Sequence, residues 1–80
     1  MAKYQIIIGG YSPRIERTTF DLQFAPGIVD AYPNATSAEV WQIVGDRKFV
    51  VAGYQPHAIT GRLQWYGHSA EHRAAIGDRI

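Results

Sequence analysis

The residues best able to do chemistry are the three histidines, His57, His68 and His72. His68 and His72 stand four apart, so a helix beginning one residue early would put both on one face and offer two nitrogens to a metal. Ser69 is the better N-cap, which leaves His68 outside the helix, and no third ligand has diagnostic spacing. No metal site is expected. His57 reads as a turn residue, and the other two as surface or helix-end groups.

Nucleophilic catalysis would need Ser12, Ser37 or Ser69, and none lies in Gly-x-Ser-x-Gly or at family spacing from a lysine. There is no cysteine, which removes a thiolate nucleophile, a thiolate zinc site and a disulfide scaffold. The carboxylates Glu16, Asp21, Asp30, Glu39, Asp46, Glu71 and Asp78 are scattered, so paired acid–base chemistry has no anchor. Gly9-Gly10 lacks the Gly-Lys-Ser/Thr that completes a phosphate loop, and a hairpin turn explains it better. The expectation is a protein that is not an enzyme, with no catalytic residue and no cofactor.

Binding has more support than catalysis. Arg62, Gln64 and Tyr66 alternate along one apparent strand, with Tyr4, Tyr11 and Tyr54 at or near other strand ends. An arginine and aromatic sheet face can stack bases. Against that, eight Lys and Arg are set against seven Asp and Glu, a net charge of +1, far short of the basic footprint phosphate binding leaves. Six of the eight basic residues are arginine (Arg14, Arg17, Arg47, Arg62, Arg73, Arg79). Arginine, tyrosine and tryptophan dominate protein–protein hot spots, whereas lysine is depleted at interfaces. A protein partner is therefore preferred over nucleic acid, with Arg62, Gln64, Tyr66, Tyr54 and Tyr11 as binding residues.

These residues must be held by short strands. Tyr4 to Ile8 is β-rich and runs into the turn formers Gly9-Gly10-Tyr11-Ser12-Pro13. From Arg14 to Phe24 the chain alternates, with Phe20, Leu22 and Phe24 on one face, which predicts a second strand hairpinned to the first. Ala25-Pro26-Gly27 ends it, and residues 28–38 read as a connecting loop. The next segment carries two signals. Thr36-Ser37-Ala38-Glu39 fits a capping box closed by Gly45, which allows a short helix over 37–44. Val40-Trp41-Gln42-Ile43-Val44 is β-branched and aromatic, and Gly45-Asp46 fits a type II′ turn into Lys48 to Tyr54, so a hairpin is preferred. Ala58 to Tyr66 alternates again, with Leu63 and Trp65 turned inward. Ser69 then caps a C-terminal helix over Ala70 to Ile76 that Gly77 ends.

Eighty residues with 46% hydrophobic and 19% charged side chains suit one small domain over residues 1–80. The ten aromatic residues need a core or an interface, and the low net charge argues against disorder. The apolar run that follows the charged start at Lys3 is Ile6-Ile7-Ile8, too short for a secretory signal, and no stretch reaches the roughly 20 residues of a membrane span. A cytoplasmic setting is expected, in keeping with the lack of cysteine.

The expected fold is α+β, an antiparallel sheet of four to five strands with a short C-terminal helix. The expected function is a non-enzymatic protein-interaction module, in the manner of a small accessory protein or a phage-encoded, anti-CRISPR-like inhibitor that blocks a surface of a larger complex. A single-stranded nucleic-acid-binding domain is the alternative. A homodimer is expected as readily as a monomer, because small β-rich chains have edges and apolar faces to bury.

Overall fold

A computed structural model of the chain describes residues 2–77. Five antiparallel strands form one sheet: β1 (Lys3–Gly9), β2 (Ile15–Thr19), β3 (Ser37–Val44), β4 (Arg47–Pro56) and β5 (Leu63–Gly67), in the spatial order β2-β1-β3-β4-β5. With two short helices added, the architecture is α+β, as the sequence predicts. Among the described residues no helix is long and apolar enough to cross a membrane.

The hairpin β1–β2 turns at Gly9-Gly10, where Gly10 takes φ 99° and a Cβ would press to 2.9 Å from the Thr36 amide nitrogen. Only glycine is at ease in that space and that backbone region. Residues 37–44 are strand, not helix: Thr36 gives its amide to the Gly9 carbonyl at 3.1 Å instead of opening a capping box. Gly45 has φ 61° and Asp46 does not have positive φ, the pattern of a type II′ turn between β3 and β4.

Three expectations along the chain are corrected. The second strand ends at Thr19, not Phe24. Asp21 accepts the Gln23 amide hydrogen at 3.1 Å and caps a single 3₁₀ turn, Leu22–Phe24. This turn runs into α1 (Ala25–Asp30), with Pro26 in its first turn, where a missing N–H costs nothing. Leu22, Ala25 and Val29 are buried at the spacing of one helical stripe. Phe20 and Phe24, expected in the core, are 62% and 57% exposed. The loop expected over residues 28–38 therefore holds the end of α1 and the start of β3. The last strand begins at Leu63 rather than Ala58, because residues 57–61 close a turn in which Gly61 donates to the His57 carbonyl at 3.0 Å.

The C-terminal helix α2 (Ala70–Ile76) forms as the sequence indicates. Ser69 Oγ accepts the His72 amide hydrogen at 3.2 Å, and Gly77 ends the helix in the left-handed region at φ 76°.

The core is one cluster: Ile6 and Ile8 from β1, Ala38 and Val40 from β3, Val51 and Ala52 from β4, Leu22, Ala25 and Val29 from the 3₁₀ turn and α1, and Ile76 from α2. Val40 pairs with Ala52 while Trp41 pairs with Val50, so Val51 is the extra residue of a β-bulge. That places two consecutive β4 residues in the core. Both helices contribute to this cluster, so both pack on one face of the sheet.

Candidate interaction surface

Among the described residues, no helix or loop element packs on the second face of the sheet. Cross-strand register sets its side chains in rows. One row runs Glu16, Ile7, Glu39, Gly53, Tyr66; the next runs Thr18, Gln5, Trp41, Val50; the third is Lys3, Ile43, Lys48. Ile7, Trp41, Ile43, Val50 and Tyr66 are half-buried by their neighbours alone, while Lys3, Lys48, Glu16 and Glu39 are exposed. Trp41 and Val50 make the middle row apolar on β3 and β4, with Ile7 and Ile43 beside them. Lysines stand at one end of the strands and glutamates at the other.

Trp41 is the centre of this surface. The Lys48 ammonium lies 5.4 Å from its ring centroid, and Lys48 Nζ donates to Gln5 Oε1 at 3.4 Å. The Trp41 indole nitrogen Nε1 is buried and has no hydrogen-bond partner among the described residues. A donor left in that state costs about 1 to 3 kcal/mol. Two strands away on the same face, Tyr66 lies across from Gly53, whose missing side chain leaves the strand surface low there.

The residues expected to bind are divided between the two faces. Gln64 and Tyr66 belong to the open face. Arg62 is exposed and precedes β5, its carbonyl accepting from the His57 amide at 2.8 Å and its own amide donating to Thr60 Oγ1 at 3.3 Å. Tyr54 and Tyr11 are on the helix-covered side, partly buried against the core. The Tyr54 ring is 5.2 Å from Trp65. Tyr11 meets Tyr32 edge-on at 5.6 Å and accepts the Asn34 amide hydrogen through its hydroxyl at 3.2 Å. Their positions are those of packing residues, so Arg62, Tyr54 and Tyr11 do not join Gln64 and Tyr66 in one surface.

The signal for Trp41, Ile7, Ile43 and Val50 was in the sequence. Ile6-Ile7-Ile8, Val40-Trp41-Gln42-Ile43-Val44 and Phe49-Val50-Val51-Ala52 are nearly continuous apolar runs. A strand covered on one side only alternates; a strand covered on both sides does not.

His57, His72 and Asp21 are engaged locally. His57 Nδ1 accepts the amide hydrogens of Ile59 at 3.1 Å and Thr60 at 3.2 Å, which folds the turn before β5. His72 Nδ1 shares a hydrogen bond with Ser69 Oγ at 3.0 Å. A cleft of about 180 Å³ between the 3₁₀ turn and α2 is lined by Tyr4, Phe20, Asp21, Leu22, Glu71, His72 and Ala75. The Asp21 carboxylate is taken up by Gln23, through Nε2 at 2.9 Å as well as the amide. Among the described residues, no three His, Asp or Glu side chains gather where they could hold a metal ion.

Comparison of the chain with protein-family models, with curated proteins and with solved structures found no match.

Proposed function

We propose that the protein is a non-enzymatic interaction module that binds a protein through the open face of its sheet. One observation carries this reading: the open face sets Ile7, Trp41, Ile43 and Val50 of the three central strands among polar residues, and the described residues provide helices for the opposite face only. Burial of apolar area at about 25 cal/mol per Å² favours covering the second face, and its Trp41 and Tyr66 are of the residue types that anchor interfaces. The small accessory or phage-encoded inhibitor, anti-CRISPR-like in blocking a surface of a larger complex, remains the form of this function that size and lack of a catalytic constellation favour. The absence of cysteine suits action in the cytoplasm.

Single-stranded nucleic acid fits the same face less well. Trp41 and Tyr66 could stack bases and Lys3 and Lys48 could meet phosphates, but Glu16 and Glu39 stand on that surface and would repel the backbone.

The test is capture from the source organism with the tagged chain, comparing wild type with Ile7→Glu/Ile43→Glu. Both positions are half-buried on the open face, and circular dichroism checks that the variant folds. Loss of a defined protein partner by the variant supports the proposal. Equal capture by both forms places the contact elsewhere, and recovery of RNA or DNA in place of protein favours the alternative.

A further inference from the structure

The open face has a charge arrangement that fits itself. The Lys3–Lys48 row and the Glu16–Glu39 row lie on either side of the Gln5–Trp41–Val50 row, each two residues away along the strands. That is about 6.7 Å of backbone to each side, or about 13 Å between the Cα rows of lysines and glutamates. For Lys3 that spacing exceeds the Debye length of about 8 Å at physiological ionic strength. Lys48 leans inward over Trp41 and donates to the neutral Gln5 amide oxygen, a contact it can exchange for a carboxylate of a facing surface.

We infer that the face is occupied by a second copy of the chain, in an isologous sandwich whose two-fold axis runs across the strands along the Gln5–Trp41–Val50 row. The inference rests on the open face being a contact surface and names its first occupant. Two two-fold axes in the plane of the interface would bring this face onto itself. One parallel to the strands sets lysines over lysines and glutamates over glutamates. One across the strands reverses strand direction between the layers and sets each lysine row over the partner's glutamate row. In that arrangement Lys3 descends between Glu16 and Glu39 of the partner subunit, and Lys48 meets Glu39 of the partner subunit beside the gap at Gly53. Trp41 packs on its own symmetry mate over the two-fold axis. Arg62, beyond the strand end at the β5 edge, is left outside the contact.

The area is consistent with a weak, reversible dimer. Five strands about 4.8 Å apart, each with about six or seven residues at about 3.3 Å, present about 500 Å² per copy. That is about a tenth of the 5357 Å² surface of the chain. Two faces bury about 1,000 Å² together, the lower limit for a specific interface. A contact at that limit belongs with weak, transient interfaces, so association is to be followed over about 1 to 100 µM. Opening such a dimer would release the same surface for a different protein.

Sedimentation velocity across that concentration range tests the inference. Wild type should move from the 8.9 kDa chain mass to twice that mass, with a midpoint that rises as salt rises. Lys3→Glu/Lys48→Glu makes the face wholly acidic, and Glu16→Lys/Glu39→Lys makes it wholly basic. All four positions are exposed, so the fold should survive. Each variant alone should dimerise at least about tenfold more weakly, and an equimolar mixture should regain the dimer through opposite charge. Should either variant fail to fold, the salt dependence of the wild-type midpoint decides, since a contact made by apolar burial alone does not weaken with salt. A wild type that is monomeric throughout, or a mixture that regains nothing, overturns the arrangement. If wild type is monomeric but Ile7→Glu/Ile43→Glu still abolishes capture of a protein partner, the open face stands as a contact surface and only its self-pairing is lost.

Discussion

Lys48 lays its ammonium over Trp41, 5.4 Å from the ring centroid, and so covers with a charged side chain the largest apolar group on the open face of the sheet. A long lysine stem can shield apolar surface in this way while its head stays in water, and the cover is easily withdrawn. Because Lys48 is exposed, the contact should contribute only about 0.5 to 1 kcal/mol. Lys48→Ala is therefore expected to lower unfolding stability by less than about 1 kcal/mol in urea titration, while increasing binding of an apolar dye to the bared ring. A stability loss above about 2 kcal/mol would mean that Lys48 holds the β3–β4 hairpin itself together.

The junction between β5 and α2 should tolerate much less. A Cβ at Gly67 would lie 2.7 Å from both the Cα and the Cγ of Arg73, so α2 can dock only on a bare backbone. At Gly53 the nearest atom to such a Cβ would be 3.8 Å away, ordinary contact. Gly67→Ala should cost about 1 to 3 kcal/mol as the helix is pushed off the sheet, and Gly53→Ala well under about 1 kcal/mol. Hydrogen exchange reads the difference directly, since α2 amides should lose protection in the first variant and keep it in the second. Equal protection in both would mean that the helix docks by another route.

The sheet and α2 were legible because their signals are local. Ser69 and Gly77 bracket α2, Gly45 marks a tight turn, and β-branched runs mark β3 and β4. The segment 19–30 was misread because Phe20, Leu22 and Phe24 match a strand's period of two, whereas Leu22, Ala25 and Val29 match a helix over a longer window. Two small or branched residues make a fainter stripe than two phenylalanines, but the Asp21 cap and Pro26 settled the backbone. For the candidate surface, Gln64 and Tyr66 were found from alternation. Trp41 was passed over because its neighbours on both sides are apolar, and that lack of alternation was itself the sign of a second face to cover. Which face Tyr11 and Tyr54 would take depended on strand order and register, neither of which is written in a local pattern.

Burial ranks three large side chains that the strand reading had treated alike. Leu22 is 5% exposed within the core, Leu63 is half-buried at the start of β5, and Phe20 is 62% exposed. Leu22→Ala should cost about 2 to 5 kcal/mol, Leu63→Ala about half as much, and Phe20→Ala under about 0.5 kcal/mol. Chemical denaturation of the three variants checks the order. A large loss at Phe20 would show that its ring is covered in solution and would return it to the core.

Tyr66, on the candidate surface, and Arg62, outside it, should respond differently to substitution. Tyr66 lies across from Gly53 on the open face, two strands from Glu39, whereas Arg62 is outside β5 and its backbone serves the 57–62 turn through His57 and Thr60. Substituting the Arg62 side chain leaves those backbone bonds in place. Tyr66→Ala should therefore weaken a protein complex by about 1 to 3 kcal/mol, as an anchor at the margin of the apolar patch does, and Arg62→Ala by less than about 0.5 kcal/mol, as an exposed rim charge does. Titration calorimetry on the captured partner measures both. The nucleic-acid alternative inverts this ranking in salt: Arg62→Ala would then flatten the fall of affinity with ionic strength, because one phosphate contact and its released counterion would be gone. A steep salt dependence that Arg62→Ala reduces would therefore transfer the surface from protein to nucleic acid.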